Sequence, residues 1–371
     1  MRGVAQRLRV GVIFGGRSGE HEVSLASAAS VVAAMDRARY EPVLLYITKG
    51  GTWHRVEAVP ATPGQPEGGR LALPPDPGPP AFATVTADRA FRAMPLALDV
   101  AFPVLHGTYG EDGTVQGLLE LLDLPYVGAG VLASALGMDK ALMKGAFRQA
   151  GLPVVEYEVL QARRWEESPD GCLTALTRRF SFPCFVKPAN LGSSVGISKA
   201  VDAVSLRAAL TAAARYDRKL IVERGVDARE IEVSVLGNET PEASVPGEIV
   251  PVREWYDYQA KYTPGGAEAK IPAPLPARVT EEFRALALKA YAAIDCAGMG
   301  RVDFLLERGT DRIYVNEINT IPGFTATSVY PKLWEASGLS YPALLDRLIG
   351  LALDRHRERG RRTTSYEPGR G

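Results

Sequence analysis

The chain has 371 residues, room for two or three domains at ~150 residues each. Lys+Arg and Asp+Glu balance at 43 each, which excludes a broad basic footprint for nucleic acid or an acidic membrane surface. The three cysteines, Cys172, Cys184 and Cys296, lack C-x-x-C spacing, and this disfavours a disulfide framework or a zinc site.

"MRGVAQRLRVGVIFGG" has too short an apolar run for a signal peptide, and no stretch reaches about 18 apolar residues, so a soluble, cytoplasmic protein is expected. "LRVGVIFGG" (8–16) reads as a buried strand running into a glycine turn. "HEVSLASAASVVAAM" follows with helical spacing, then a second strand, "YEPVLLYIT". This βαβ opening predicts a parallel sheet. Pro60 to Pro80 holds eight prolines and four glycines, a composition for a surface excursion rather than a helix or central strand. "LALDVAFPVLHG" resumes the sheet and "TVQGLLELLDL" is the next helix.

A helix starts between Ser134 and Asp139 and ends at Gly151, a C-terminal glycine cap. "FPCFVKPAN" and "KLIVERGV" are strands with the helix "AVSLRAALTAAARY" between them, and Arg229 to Val235 alternates as a strand. Thr280 is placed as the cap of a helix presenting Phe283, Leu286, Ala287, Ala290 and Ile294 on one face. The last stretch, "RHRERGRRTTSYEPGRG", is a polar basic tail without apolar period.

Two segments carry chemistry. In "RVDFLLERGTDRIYVNEINTIPGF" (301–324), strand-formers flank "ERGTD", which reads as a hairpin. Period two puts Arg301, Asp303 and Leu305 on one face of the first strand, and Ile313, Val315, Glu317 and Asn319 on one face of the second. A turn centred near residue 310 sets Asp303 opposite Glu317. Opposed carboxylates repel. A divalent cation between them would relieve this, and two carboxylates with an amide oxygen match hard-cation chemistry at phosphoryl-transfer sites. The competing arrangement has Arg301 neutralising Asp303, with Glu317 facing solvent.

The second segment is "KPANLGSSVGISKA" (187–200). It has the lysine and glycines of a phosphate loop but reverses the P-loop order. Lys187 ends an apolar strand, where its ammonium can meet a phosphate, and Gly192 and Gly196 let the intervening N–H groups turn toward an anion. The alternative is a flexible linker between two strands.

"GGRSGEHEVS" (15–24), "LHGTYGEDGTVQG" (105–117), "GMDK" (137–140), the 187–200 loop, "WYDYQAKY" (255–262) and "RVDFLLE…YVNEINTIPGFTATS" (301–328) occur in this order. Together they resemble the D-alanine–D-alanine ligases, ATP-grasp enzymes of bacterial cell-wall synthesis, from about residue 8 to about 350. The resemblance implies an α/β and α+β architecture, an ATP-grasp fold behind an N-terminal parallel α/β domain. Its expected divisions are 1–133 (with the 60–80 insert), a central subdomain 134–222, a C-terminal subdomain 223–354 with the metal site, and a disordered tail 355–371.

The same resemblance implies that D-alanine is activated by ATP as an acylphosphate, which the amine of a second D-alanine then attacks to give D-alanyl-D-alanine. D-alanine–D-lactate or D-serine ligation, or another carboxylate–amine ligation, is the alternative. It places Lys140, Lys187 and Ser194 on ATP phosphates, Glu223 and Val226 at the adenine hinge, and Glu230 on the ribose. Asp303, Glu317 and Asn319 would hold two Mg²⁺, with Mn²⁺ able to substitute. Glu22, linked to Ser193 and Tyr262, would take the first ammonium, with His106 near that substrate's carboxylate. Arg301 and the N–H of Gly323 would stabilise the oxyanion, and Lys261 and Ser328 would hold the second carboxylate. The implied partners are D-alanine and ATP, with no nucleic acid and no membrane, in a homodimer.

Overall fold

The computed structural model describes residues 7–64, 69–72, 82–85, 91–94, 96–192, 196–251, 267–325 and 327–363. Three sheets divide the chain. The first comprises β1 (Leu8–Gly15), β2 (Tyr40–Ile47), β3 (Trp53–Val56), β4 (Arg70–Ala72), β5 (Phe82–Val85), β6 (Phe91–Met94) and β7 (Val100–Pro103), in the order β6-β5-β4-β3-β2-β1-β7. β1 runs parallel to both β2 and β7, as the βαβ opening requires. From β2 to β6, however, each neighbour is antiparallel, so the sheet is mixed. The stretch expected to be a surface excursion and no central strand supplies β4, which is paired on both sides, with β3 and β5. The three-residue strand Arg70–Ala72 lies between the prolines of the stretch and contains none of them, so it keeps its backbone donors for the ladder.

Helix α1 (His21–Ala34) covers one face of this sheet and α2 (Thr114–Leu121) the other. The phase of α1 matters for the site. His21, Ser24, Leu25 and Ala28 are buried, whereas Glu22, Ala26 and Ala29 form the solvent stripe at i, i+4, i+7.

The second sheet is antiparallel, in the order β10-β9-β11-β8, built from β8 (Tyr157–Gln161), β9 (Cys184–Pro188), β10 (Ser198–Ala200) and β11 (Lys219–Arg224). α3 (Val131–Met138) and α4 (Lys140–Gln149) precede it. The expected single helix over this stretch is two, because Asp139 is extended and caps α4, its Oδ1 accepting the N–H groups of Ala141 and Leu142 at 3.1 Å. Gly151 (φ +69°) follows as the glycine stop, its N–H donating to Arg148 O at 2.9 Å. Helices α5 (Ala162–Glu167), α6 (Pro169–Arg179) and α7 (Ala203–Ala213) pack on this sheet.

The third sheet contains β12 (Ala228–Gly237), β13 (Glu242–Ala243), β14 (Gly247–Pro251), β15 (Ala267–Lys270), β16 (Gly298–Glu307) and β17 (Ile313–Asn319), ordered β15-β14-β12-β16-β17 with β13 on β12. Helix α8 (Ala277–Ala293) buries Phe283, Ala287 and Ala290 against it; Thr280 lies inside its first turn, and Pro276 occupies the cap position instead. α9 (Val329–Ala336) and α10 (Tyr341–Gly360) complete the chain.

Two packing relations cross the expected divisions. Met143 and Phe147 of α4 are fully buried with Phe283 and Ile318, so residues 140–149 belong to the third sheet's core rather than to a central unit beginning at 134. Leu344, Leu345 and Leu348 of α10 bury against Val10, Phe102 and Val100 of the first sheet. That helix continues to Gly360, past the expected tail start at 355; residues 364–371 lie outside the described ones. At the expected boundary of 222/223, β11 runs through to Arg224. Among the described residues no helix is long and apolar enough to cross a membrane.

Candidate active site

The hairpin forms β16 and β17, and Asp303 pairs with Glu317 as the period and turn require. A bulge intervenes between this pair and the next, Phe304–Val315, leaving Asn316 as the extra residue. Ile313 and Val315 therefore face the core, whereas Glu317 and Asn319 face the cleft. The expectation that all four share one face is corrected by that one-residue phase change.

The opposed carboxylates are each given a cation by the protein. Arg301 holds Asp303 through two bonds, Nε to Oδ1 at 2.7 Å and Nη2 to Oδ2 at 2.8 Å, and Asn319 Nδ2 donates to Oδ2 at 3.0 Å. Arg301 Nε also lies 3.0 Å from Glu232 Oε2. Burial opposes the charge on Arg301, but Asp303 and then Glu232 outweigh it and push its pKa well above the ordinary value. The neutralisation of Asp303 by Arg301 is thus present. Glu317, however, does not face open solvent: Lys140 Nζ stands 3.4 Å from its Oε2.

Lys140 begins α4, where its N–H donates to Ala189 O and its ammonium to Leu191 O, both at 2.9 Å. The start of α4 is thereby hooked to the loop after β9. Lys187, on β9, pairs with Glu223 on neighbouring β11, and Lys144 approaches the same carboxylate at 2.9 Å. Burial raises the Glu223 carboxyl, but Lys144 and then Lys187 overcome it and hold the group down to about 2. Burial likewise opposes the Lys187 charge, and Glu223 reverses the balance so that its pKa rises. Glu230 lies close enough for its charge to reinforce this. Val226, just beyond β11, is partly buried.

At the N-terminal rim the observed carboxylate differs from the expected one. Glu22 is exposed and pairs with Lys49 at 2.6 Å, on the solvent stripe of α1. Glu20, one residue before the helix, is buried instead, and its Oε2 lies where a Cβ on Gly107 (2.6 Å) or Gly192 (3.0 Å) would meet it. It thus joins the 105–113 loop to the loop after β9. Two glutamates flank His21, and only the helix phase separates their faces; that phase is the signal which identifies Glu20.

His106 is buried, with Nε2 3.0 Å from Ser27 Oγ and Nδ1 3.1 Å from Ile321 O. Both nitrogens are engaged within the protein, and burial depresses its pKa. It fastens the first sheet to the segment after β17 rather than offering a free nitrogen to the cleft. Glu111, missed from sequence, accepts the Gly107 N–H at 2.8 Å. Burial, then the charge of Glu20, pushes its carboxyl up to about 8.

Ser328 precedes α9 without capping it; its Oγ accepts the Thr325 N–H at 3.0 Å and lies over Gly323, where a Cβ would meet it at 2.7 Å. Gly323 is therefore the residue that lets this loop close on itself. Ser193, Ser194, Lys261 and Tyr262 lie outside the described residues.

Two antiparallel α+β units that bring lysines of α4 and β9 together with a carboxylate hairpin, behind an α/β unit, make the architecture of an ATP-grasp ligase. Sequence profiles described as D-ala D-ala ligase N-terminus and C-terminus match residues 9–129 and 146–350. The chain is 53% identical to a D-alanine–D-alanine ligase of Solibacter usitatus, over 95% of this chain and 98% of the relative. It is 51% identical to that of Heliobacterium modesticaldum, over 97% and 98%. The solved D-alanine–D-alanine ligase from Coxiella burnetii superposes with a TM-score of 0.81 at 37% identity, over 96% of this chain and 97% of that one. The chain belongs to the D-alanine–D-alanine ligase family.

Proposed function

We infer that the cleft joins two D-alanine molecules into D-alanyl-D-alanine, with conversion of ATP to ADP and phosphate, for peptidoglycan precursor synthesis. One observation carries the assignment of roles. Lys187 stands on the second sheet and Asp303, Glu317, Asn319 and Arg301 on the third, and Lys140, at the start of α4, joins the two: its ammonium donates to Leu191 O in the loop after β9 and lies 3.4 Å from Glu317 Oε2.

Lys140 and Lys187 would bind ATP phosphates as point charges. The segment Glu223–Val226 would receive the adenine and Glu230 the ribose. Asp303, Glu317 and Asn319 offer hard oxygen donors whose mutual repulsion a divalent cation relieves, which fits Mg²⁺. Bound there, such a cation supplies neutralisation of phosphate charge during transfer. Glu20, in place of Glu22, would hold the ammonium of the first D-alanine. Arg301, kept charged by its two carboxylates, would stabilise the negative oxygens that develop as the first carboxylate is phosphorylated and then attacked by the second amine. The N–H of Gly323 and the hydroxyl of Ser328 lie together on the loop that would receive the second substrate. The reading also includes a cytoplasmic location and a homodimer.

Phosphate release from ATP with D-alanine, D-serine, D-lactate and L-alanine, followed by mass analysis of products, tests it. D-alanyl-D-alanine should dominate. Equal turnover of L-alanine would sink the assignment, and faster turnover with D-serine or D-lactate as acceptor would move it to the ester- or serine-forming alternative.

A further inference from the structure

Lys144 touches Glu223 beside the cleft and is the most deeply buried of the three lysines there. Its side chain is 1% exposed, against 12% for Lys187 and 10% for Lys140. A buried ammonium is retained only with partners, and Lys144 has two on different sheets. It lies 2.9 Å from Glu223 Oε1 on β11 and donates to Asn316 O at 3.0 Å on β17.

Both partners matter. Glu223 also holds Lys187, so two ammoniums share one carboxylate, and the charges of Glu317 and Glu230 act on Lys187 as well. Lys187, the more exposed, can turn toward an arriving anion; Lys144 cannot. Asn316 is the extra residue of the bulge that re-phases β17 and turns Glu317 and Asn319 into the cleft. A buried glutamate deprived of both cations would carry a large desolvation penalty, so Lys187 can leave Glu223 only if something else neutralises it.

We propose that Lys144 is a positioning residue for nucleotide binding: it keeps Glu223 neutralised while Lys187 moves to phosphate, and it anchors the bulge that presents the metal-ligand hairpin. This rests on the nucleotide reading above. The variants are Lys144→Met, of similar length without charge, and Lys144→Gln, which keeps a donor for Asn316 O without the charge. Calorimetric binding of a non-hydrolysable ATP analogue with Mg²⁺ to the full chain is the readout, beside KM for ATP and for D-alanine. Both variants should bind the analogue at least about tenfold more weakly, the loss expected when a charged partner is removed from a buried network. KM for D-alanine should change by less than about threefold on the same scale. In a Glu223→Gln background the same Lys144→Met change should weaken the analogue much less than it does in wild type, because Lys187 no longer has a bare carboxylate to guard. Analogue binding within about twofold of wild type in folded Lys144→Met or Lys144→Gln overturns the proposal. So does an equal loss from Lys144→Met in the wild-type and Glu223→Gln backgrounds. If wild type itself does not bind the analogue, the nucleotide reading has failed instead.

Discussion

Glu20 and Glu22 stand two residues apart and face opposite sides of the entry to α1. The Glu20 carboxylate lies between Gly107 and Gly192 in the cleft, and the Glu22 carboxylate pairs with Lys49 in solvent. On a helix of 3.6 residues per turn, two positions are more than half a revolution. Whichever of the pair reaches the substrate, the other cannot.

Glu20→Gln should therefore raise KM for the first D-alanine by about ten- to a hundredfold, the ~1.5–3 kcal/mol of a charge-assisted hydrogen bond, with little change for ATP. Glu22→Gln should leave both within about twofold, since an exposed ion pair contributes ~1 kcal/mol or less, and to stability rather than to binding. Steady-state kinetics varying each substrate separates them. A large D-alanine effect from Glu22→Gln alone would restore the original placement.

Gly107 tests the same geometry from the other side. Its φ of +74° disfavours any side chain, and a Cβ there would meet Glu20 Oε2 at 2.6 Å. Gly107→Ala should cost ~1–2 kcal/mol of stability from the backbone alone. It should also displace Glu20, raising KM for D-alanine more than KM for ATP. A variant that loses stability but keeps its D-alanine KM would show that Glu20 is not held there for substrate.

What the sequence made legible follows from local rules. The opposition of Asp303 and Glu317 needed only period two and a turn position, and the lysine at the end of β9 needed only an apolar run before it. The rest depended on relations that leave no local mark. One inserted residue at Asn316 reverses the faces of Val315 and Glu317, and "YVNEIN" alternates well enough in either phase to conceal it. Met143 and Phe147 spell an amphipathic helix without naming the sheet that receives it. Lys144 looks like any solvated helical lysine until Glu223 and Asn316 are brought around it by two different sheets.

Glu111 predicts a pH dependence of stability. Its carboxyl is pushed up to about 8 by burial and by Glu20, while the Gly107 N–H and the Arg301 charge act the other way; His106 lies in the same cluster. Unfolded, the group ionises near an ordinary carboxyl value of ~4.3. Between about 4.3 and 8 the native state binds the extra proton, so this group's contribution falls as pH rises through that window. Glu111→Gln keeps an acceptor for Gly107 and has no proton to lose. Melting temperatures at several pH values should show wild type losing ground to the variant as pH rises. Parallel curves would mean that Glu111 ionises normally.

The hairpin supplies the last test. Asp303 and Glu317 oppose one another, with Arg301 on the first and Lys140 on the second. Glu317→Gln removes one member of the like-charged pair at nearly constant shape, and it also removes the partner of Lys140. These two effects oppose each other in the nucleotide-free protein, so its melting temperature should stay within a few degrees of wild type, about 1 kcal/mol on the usual scale. The liganded protein should behave differently. In wild type, Mg²⁺ with ATP should raise the melting temperature, because a ligand that binds only the folded state stabilises it by mass action. In the variant the Mg²⁺-dependent part of that rise should disappear, leaving what ATP gains from Lys140 and Lys187 alone. Turnover should fall by at least about a hundredfold, the loss of an electrostatic contribution of ~3 kcal/mol to the transition state. Melting curves with ATP alone and with ATP plus Mg²⁺, set beside phosphate release, distinguish a ligand from a bystander. If the glutamine variant kept near-normal turnover and a full Mg²⁺ response, the carboxylate pair would be a structural feature of the hairpin, neutralised by the protein's own cations such as Arg301 and Lys140.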